Sequence, residues 1–181
     1  MTSSSDDQPR LTHVDSAGVA RMVDVSDKDV TARTAVAAGR VLVSADVVSL
    51  LRGAGMPKGD ALAVARLAGI MAAKRTPDLV PLCHPVAISG VVVDVEVVDD
   101  GVDITATVRT TDRTGVEMEA LTAVAVAGLA LVDMVKAVDK GAVITDVRVM
   151  SKTGGRSGTW TRSGSPSLPA SGEGSEEHSR E

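Results

Sequence analysis

Three features of this 181-residue chain predict an α+β fold in which helices pack on one face of an antiparallel sheet. Two alternating apolar–polar runs flank a turn, Val93 to Val97 and Val102 to Val108. Leu121 to Val138 is a long apolar run whose only charges are Asp133 and Lys136, too long for a strand and suited to a core helix. Proline and glycine clusters then divide the remainder into alternating strand-like and helix-like pieces.

The elements follow in chain order. Met22 to Ser26 reads as an extra N-terminal strand, and Val36 to Val43 as the first strand of the main sheet. Ser44-Ala45-Asp46 opens a short helix that runs to Arg52 and ends at Gly53 and Gly55. Pro57-Lys58-Gly59-Asp60 starts a longer helix to Arg75, with Lys74 and Arg75 at the end where the dipole favours cations. Pro77, Pro81 and Pro85 then exclude helix and predict a stiff, extended loop.

Next comes the hairpin. Asp100-Gly101 suits a two-residue primed turn. That turn sets Val97 opposite Ile104, Val95 opposite Ala106 and Val93 opposite Val108, all on one face. Gly115 to Val138 is the last helix and Ala142 to Lys152 the closing strand. Strand, helices, strand, strand, helix, strand is the ferredoxin-like order.

Composition bounds the rest. Residues 1–10 and 161–181 are rich in Ser, Gly, Pro and acids and have little to bury, so they read as disordered tails around a single domain, 11–160. A domain of that size buries about 70% of its unfolded surface. With no Phe or Tyr and one Trp, its core must be built from small aliphatic side chains, and stability then leans on oligomerisation. The formal charge is −5, of which the tails carry −3, so the domain has no basic excess for nucleic acid or an anionic membrane. One cysteine allows no internal disulfide, and the N-terminus has no apolar leader. Charges interrupt the apolar runs, which argues against a membrane span and for a cytoplasmic location.

Several ionisable groups sit where chemistry is plausible, each beside a plainer reading. On a straight helix Glu119, Asp133, Lys136 and Lys140 share a stripe about 100° wide, with Glu117 nearly opposite. Asp133 and Lys136 are either an i,i+3 pair on a solvated face or a desolvated pair suited to proton transfer. The apolar surroundings of their helix predict burial. Glu119 and Asp133 lie about 21 Å apart along the helix axis, too far for one compact site in one subunit. Lys58 is a helix-entry lysine. Cys83-His84 lacks partners at metal-ligand spacing, which leaves a packed thiol beside a hydrogen-bonding imidazole. Lys152 to Gly158 is basic, glycine-rich and rich in backbone amides, able to cradle phosphate but without the Walker spacing.

Taken together, the separated segments resemble the MoaC family. They are Leu11-Thr12-His13, Met22 to Ser26, Lys58-Gly59-Asp60, Ala72 to Thr76, Pro81 to Pro85, Gly115 to Ala123, Asp133 to Ala137 and Lys152 to Gly158. The resemblance implies a lyase of molybdenum-cofactor biosynthesis. It would act on (8S)-3′,8-cyclo-7,8-dihydroguanosine 5′-triphosphate and release cyclic pyranopterin monophosphate and diphosphate. It also implies a homohexamer, a trimer of dimers, with active sites between subunits. Matching motifs place a catalytic aspartate at Asp133 and essential lysines at Lys58 and Lys136. Substrate contacts fall on Leu82, Cys83, His84, Met118 and Glu119, with help from Arg33, Glu117 and Lys152. No cofactor is required, although magnesium could accompany the triphosphate. The alternative from another class is a non-catalytic nucleotide-binding oligomer, which explains the lysines but not Asp133 beside Lys136.

Overall fold

A computed structural model of the chain describes residues 12–15, 17–53 and 60–163. The main elements are β1 (Thr31–Leu42), α1 (Ala45–Arg52), α2 (Ala61–Ala73), α3 (Thr76–Leu79), β2 (Ile88–Val98), β3 (Gly101–Asp112), α4 (Glu117–Val135), β4 (Val143–Thr153) and β5 (Trp160–Thr161). They build one antiparallel sheet in the order β2-β3-β1-β4-β5. The first four strands have the ferredoxin-like arrangement, and α2 and α4 pack together on one face. Every alternate residue of β1 from Ala35 to Val41 is buried, as are Val102, Ile104, Ala106 and Val108 of β3, which gives the sheet its core face. Against them lie Ala120, Ala123, Val124, Ala127 and Leu131 of α4.

Small residues set the spacing of these layers. A Cβ on Gly69 of α2 would stand 2.8 Å from the Ala123 carbonyl of α4, so the two helices cross nearly backbone to backbone. The same economy leaves the outer side of the helix layer apolar. Val64, Leu67 and Met71 of α2 and Leu129 of α4 are exposed in the single chain. By length and composition α4 could cross a membrane, which the charge-interrupted sequence argued against. Its actual place is the core, packed on β1, β3, β4 and α2.

Several boundaries differ from the sequence reading, each for a local reason. Met22 to Ser26 is not a strand. Asp24 Oδ1 accepts both the backbone N–H and the hydroxyl of Ser26, closing a turn that competes with strand pairing. The extra strand is instead C-terminal: Trp160 and Thr161 pair with Lys152 and Ser151, and Arg162 N donates to Met150 O. Ordered pairing therefore passes residue 160. Pro77 does not exclude helix, because it occupies the first turn of α3, where its missing N–H is no loss.

The hairpin pairs two residues out from the predicted register. Val97 faces Val102, Val95 faces Ile104 and Val93 faces Ala106, with Asp99-Asp100 at the turn. Neither aspartate has a positive φ, so the turn is not of the type-I′ kind. Gly101 is required elsewhere: a Cβ there would lie 2.2 Å from the carbonyl oxygen of Val41 on neighbouring β1. A two-residue shift keeps every side chain on its face, so the apolar pattern tolerates either register.

Candidate active site

A cavity of about 1000 Å³ opens where β1, the Pro81–Pro85 loop, the start of α4 and the glycine-rich segment after β4 converge. Seven of the residues expected at the site line it: Arg33, Leu82, Cys83, His84, Glu117, Met118 and Lys152. Arg33 is on β1, which begins five residues earlier than expected. Its guanidinium donates from Nε to Asp112 O at 2.8 Å and from Nη2 to Arg113 O at 3.0 Å. Lys152 on β4 forms a 3.2 Å ion pair with Glu117 and donates to Ser157 Oγ at 3.0 Å. The glycine-rich loop bends back through positive φ at Gly154 (88°) and Gly155 (71°), which L-residues rarely adopt. A Cβ on Gly155 would lie 2.1 Å from Arg33 Nη1, so the loop backbone rests on that guanidinium. Arg156 and Ser157 complete this cationic, amide-rich end.

Glu119 stands one layer behind the wall. It is only 1% exposed, and its Oε1 accepts a long bond, 3.8 Å, from the Cys83 thiol. Burial raises its carboxyl above the ordinary 4.5. Burial and the neighbouring carboxylate push the Cys83 thiol up to about 11, so it stays protonated and donates. A protonated thiol is a poor nucleophile. Cys83 is therefore suited to shaping the wall rather than to covalent chemistry.

Asp133 and Lys136 lie elsewhere. They pair with each other at the far end of α4, with side chains 63% and 59% exposed, so the single chain does not bury them as their apolar helix predicted. Beside them is a second, shallower groove of about 450 Å³ lined by Val126, Leu129, Ala130 and Val132. Lys58 lies outside the described residues.

The sequence reading gave no role to Asp24, Asp27, Lys28 or Asp29, which also line the large cavity. Hydrogen bonds from Ser26 hold the Asp24 carboxyl below its usual range. The motif Met22 to Ser26 was the available signal, but a turn is invisible to a strand pattern. Among the described residues, no three His, Cys, Asp or Glu side chains are arranged to hold a metal ion.

The ferredoxin-like α+β domain thus carries an open cavity lined by basic side chains, glycine-loop amides and carboxylates, a lining whose chemistry suits a small polar ligand. The chain belongs to the MoaC family, whose model matches residues 22–155. It is similar to the cyclic pyranopterin monophosphate synthase of Streptomyces coelicolor, with 76% identity over 161 residues, covering 89% of this chain and 95% of the relative. The protein of that name from Nocardioides sp. is 73% identical over 161 residues, 87% of this chain and 99% of its own. Cyclic pyranopterin monophosphate synthase 2 of Mycobacterium tuberculosis H37Rv is 64% identical over 152 residues, 84% and 91% of the two chains.

Proposed function

We propose that this protein is a lyase that converts (8S)-3′,8-cyclo-7,8-dihydroguanosine 5′-triphosphate to cyclic pyranopterin monophosphate and diphosphate in molybdenum-cofactor biosynthesis. The observation that carries this is identity of 73–76% to proteins named for that product over nearly their whole length. The cavity is compatible with it. Loss of diphosphate as a cyclic phosphate forms builds negative charge, which Lys152, Arg156 and the Gly154–Gly155 amides in the cavity lining can meet. Asp24, Asp27 and Asp29 in the same lining can accept the N–H groups of the guanine-derived base. Opening the imidazole ring and closing the pterin ring move protons, which needs a paired acid and base. Asp133 and Lys136 supply that pair, with Lys58 as a further cation.

For those groups to meet the cavity, they must come from another subunit. Asp133 is about 24 Å along the helix from Glu117. The exposed apolar faces of α2 and α4 give oligomerisation a driving force. We therefore favour a homohexamer, a trimer of dimers, with each site shared between chains, in the cytoplasm. Magnesium, if needed, arrives with the triphosphate.

Incubating the purified protein with the cyclised precursor and following pterin and diphosphate tests the reaction. Binding without either product would leave the nucleotide-binding alternative. Shared sites are tested by mixing inactive Glu117→Ala and Asp133→Ala chains. Mixed oligomers should recover part of the activity, and none recovered in verified mixtures would refute sharing.

A further inference from the structure

The cavity wall formed by residues 24–29 has little to hold it in place. Its residues are exposed apart from half-buried Val25, so apolar burial contributes little order there. Within the segment, Lys28 N donates to Val25 O, and Ser26 bonds to Asp24. Among the described residues, two bonds tie it to the body of the fold, and both come from one nitrogen. Arg113 Nη1 donates to Ser26 O at 2.5 Å and to Lys28 O at 2.6 Å. Its two N–H groups thus bridge two carbonyls of a single turn.

Arg113 is itself fixed from several sides. Its backbone N–H donates to Asp112 Oδ1, and its carbonyl accepts from Arg33 Nη2. Asp112 Oδ2 accepts a long bond, 3.5 Å, from Ala87 N, and Asp112 O accepts from Arg33 Nε. The backbone from which the guanidinium reaches out is therefore anchored where the end of β3, the start of β1 and the chain leading into β2 meet. Arg113 is not among the residues that line the cavity.

We propose that Arg113 is a positioning residue for substrate binding: it clamps the 24–29 turn and so holds Asp24 and Lys28 at the cavity wall. The proposal rests on the reading of this cavity as the substrate site. Charge-assisted bonds to carbonyls are the stronger kind, and the turn has few other contacts to replace them. Without the clamp, the acidic wall samples many positions, and binding must order it each time. The cost falls on formation of the complex rather than on the proton transfers that follow.

The test compares wild type with Arg113→Ala in two independent measurements. In hydrogen exchange without substrate, the hydrogen-bonded amides of Ser26 and Lys28 should lose protection while those of α4 keep it. In turnover of the cyclised precursor, KM should rise about tenfold or more, with kcat within about threefold. Added methylguanidinium should bring KM back toward wild type, which a merely structural defect would not permit. Arg113→Lys, whose ammonium can still reach both carbonyls, should fall between the two, and it decides the matter if Arg113→Ala does not fold. Unchanged exchange at Ser26 and Lys28 would overturn the clamp. Exchange that changes while KM does not, or a fall in kcat at constant KM, would overturn the positioning role. If wild type itself turns over no precursor, the proposed reaction fails, while the exchange comparison still decides the clamp.

Discussion

Replacing Lys136 by alanine separates a chemical role for the Asp133–Lys136 pair from a structural one. Were the pair buried in an apolar helix, deleting the ammonium would strand a carboxylate and cost about 3–5 kcal/mol. In the single chain both side chains are more than half in solvent, at 59% and 63% exposure, three residues apart on one helix, and the proposed shared, water-filled cavity keeps them hydrated. Water screens such a pair, and exposed pairs at this spacing contribute about 0.3–0.5 kcal/mol. For a chain of this size 1 kcal/mol shifts the melting temperature by roughly 2–4 °C. Lys136→Ala should therefore melt within about 2 °C of wild type, against about 6–20 °C for a buried pair. Turnover of the precursor should fall about 10²-fold or more if the ammonium moves a proton. Thermal unfolding and turnover on the same sample decide it. A large drop in melting temperature with turnover per folded protein preserved would refute both the exposure argument and the catalytic assignment.

Two further outcomes follow from the cavity. Burial raises the Glu119 pKa in the folded state above its ordinary 4.5, so between those values the folded chain holds a proton that the unfolded chain has released. This contribution is fully present below pH 4.5 and is lost as pH rises toward the folded pKa, by up to about 1.4 kcal/mol per pH unit. Glu119→Gln cannot ionise, so its stability relative to wild type should rise across that window. Urea unfolding at a series of pH values would show this, and parallel curves would contradict it. Gly155→Ala adds a Cβ at φ +71° against Arg33 and should cost about 1–2 kcal/mol with a clear rise in KM. Gly158→Ala, at φ +62° in open space, should incur only the backbone cost, and equal KM values for the two would show that the loop does not rest on Arg33.

The sequence by itself determined the faces and order of the four long strands and of α1, α2 and α4. Period-two alternation in Val93–Val97 and Val102–Val108, the apolar length of α4 and the helix start at Pro57 to Asp60 are local signals, and each element formed where they pointed. Seven of the eleven expected site residues converge on one cavity because motif segments carried them there together. Tertiary structure alone decided what covers each face. Glu119 and Asp133 lie on one stripe of α4, yet the first is buried under Cys83 of the proline loop and the second is open to water. A helical period reports direction around an axis and says nothing of which distant segment lies across it. The same limit hides the close approach of Gly101 to Val41, on a strand about sixty residues earlier. It also explains the 24–29 wall, whose tether to Arg113 spans 85 residues or more of sequence.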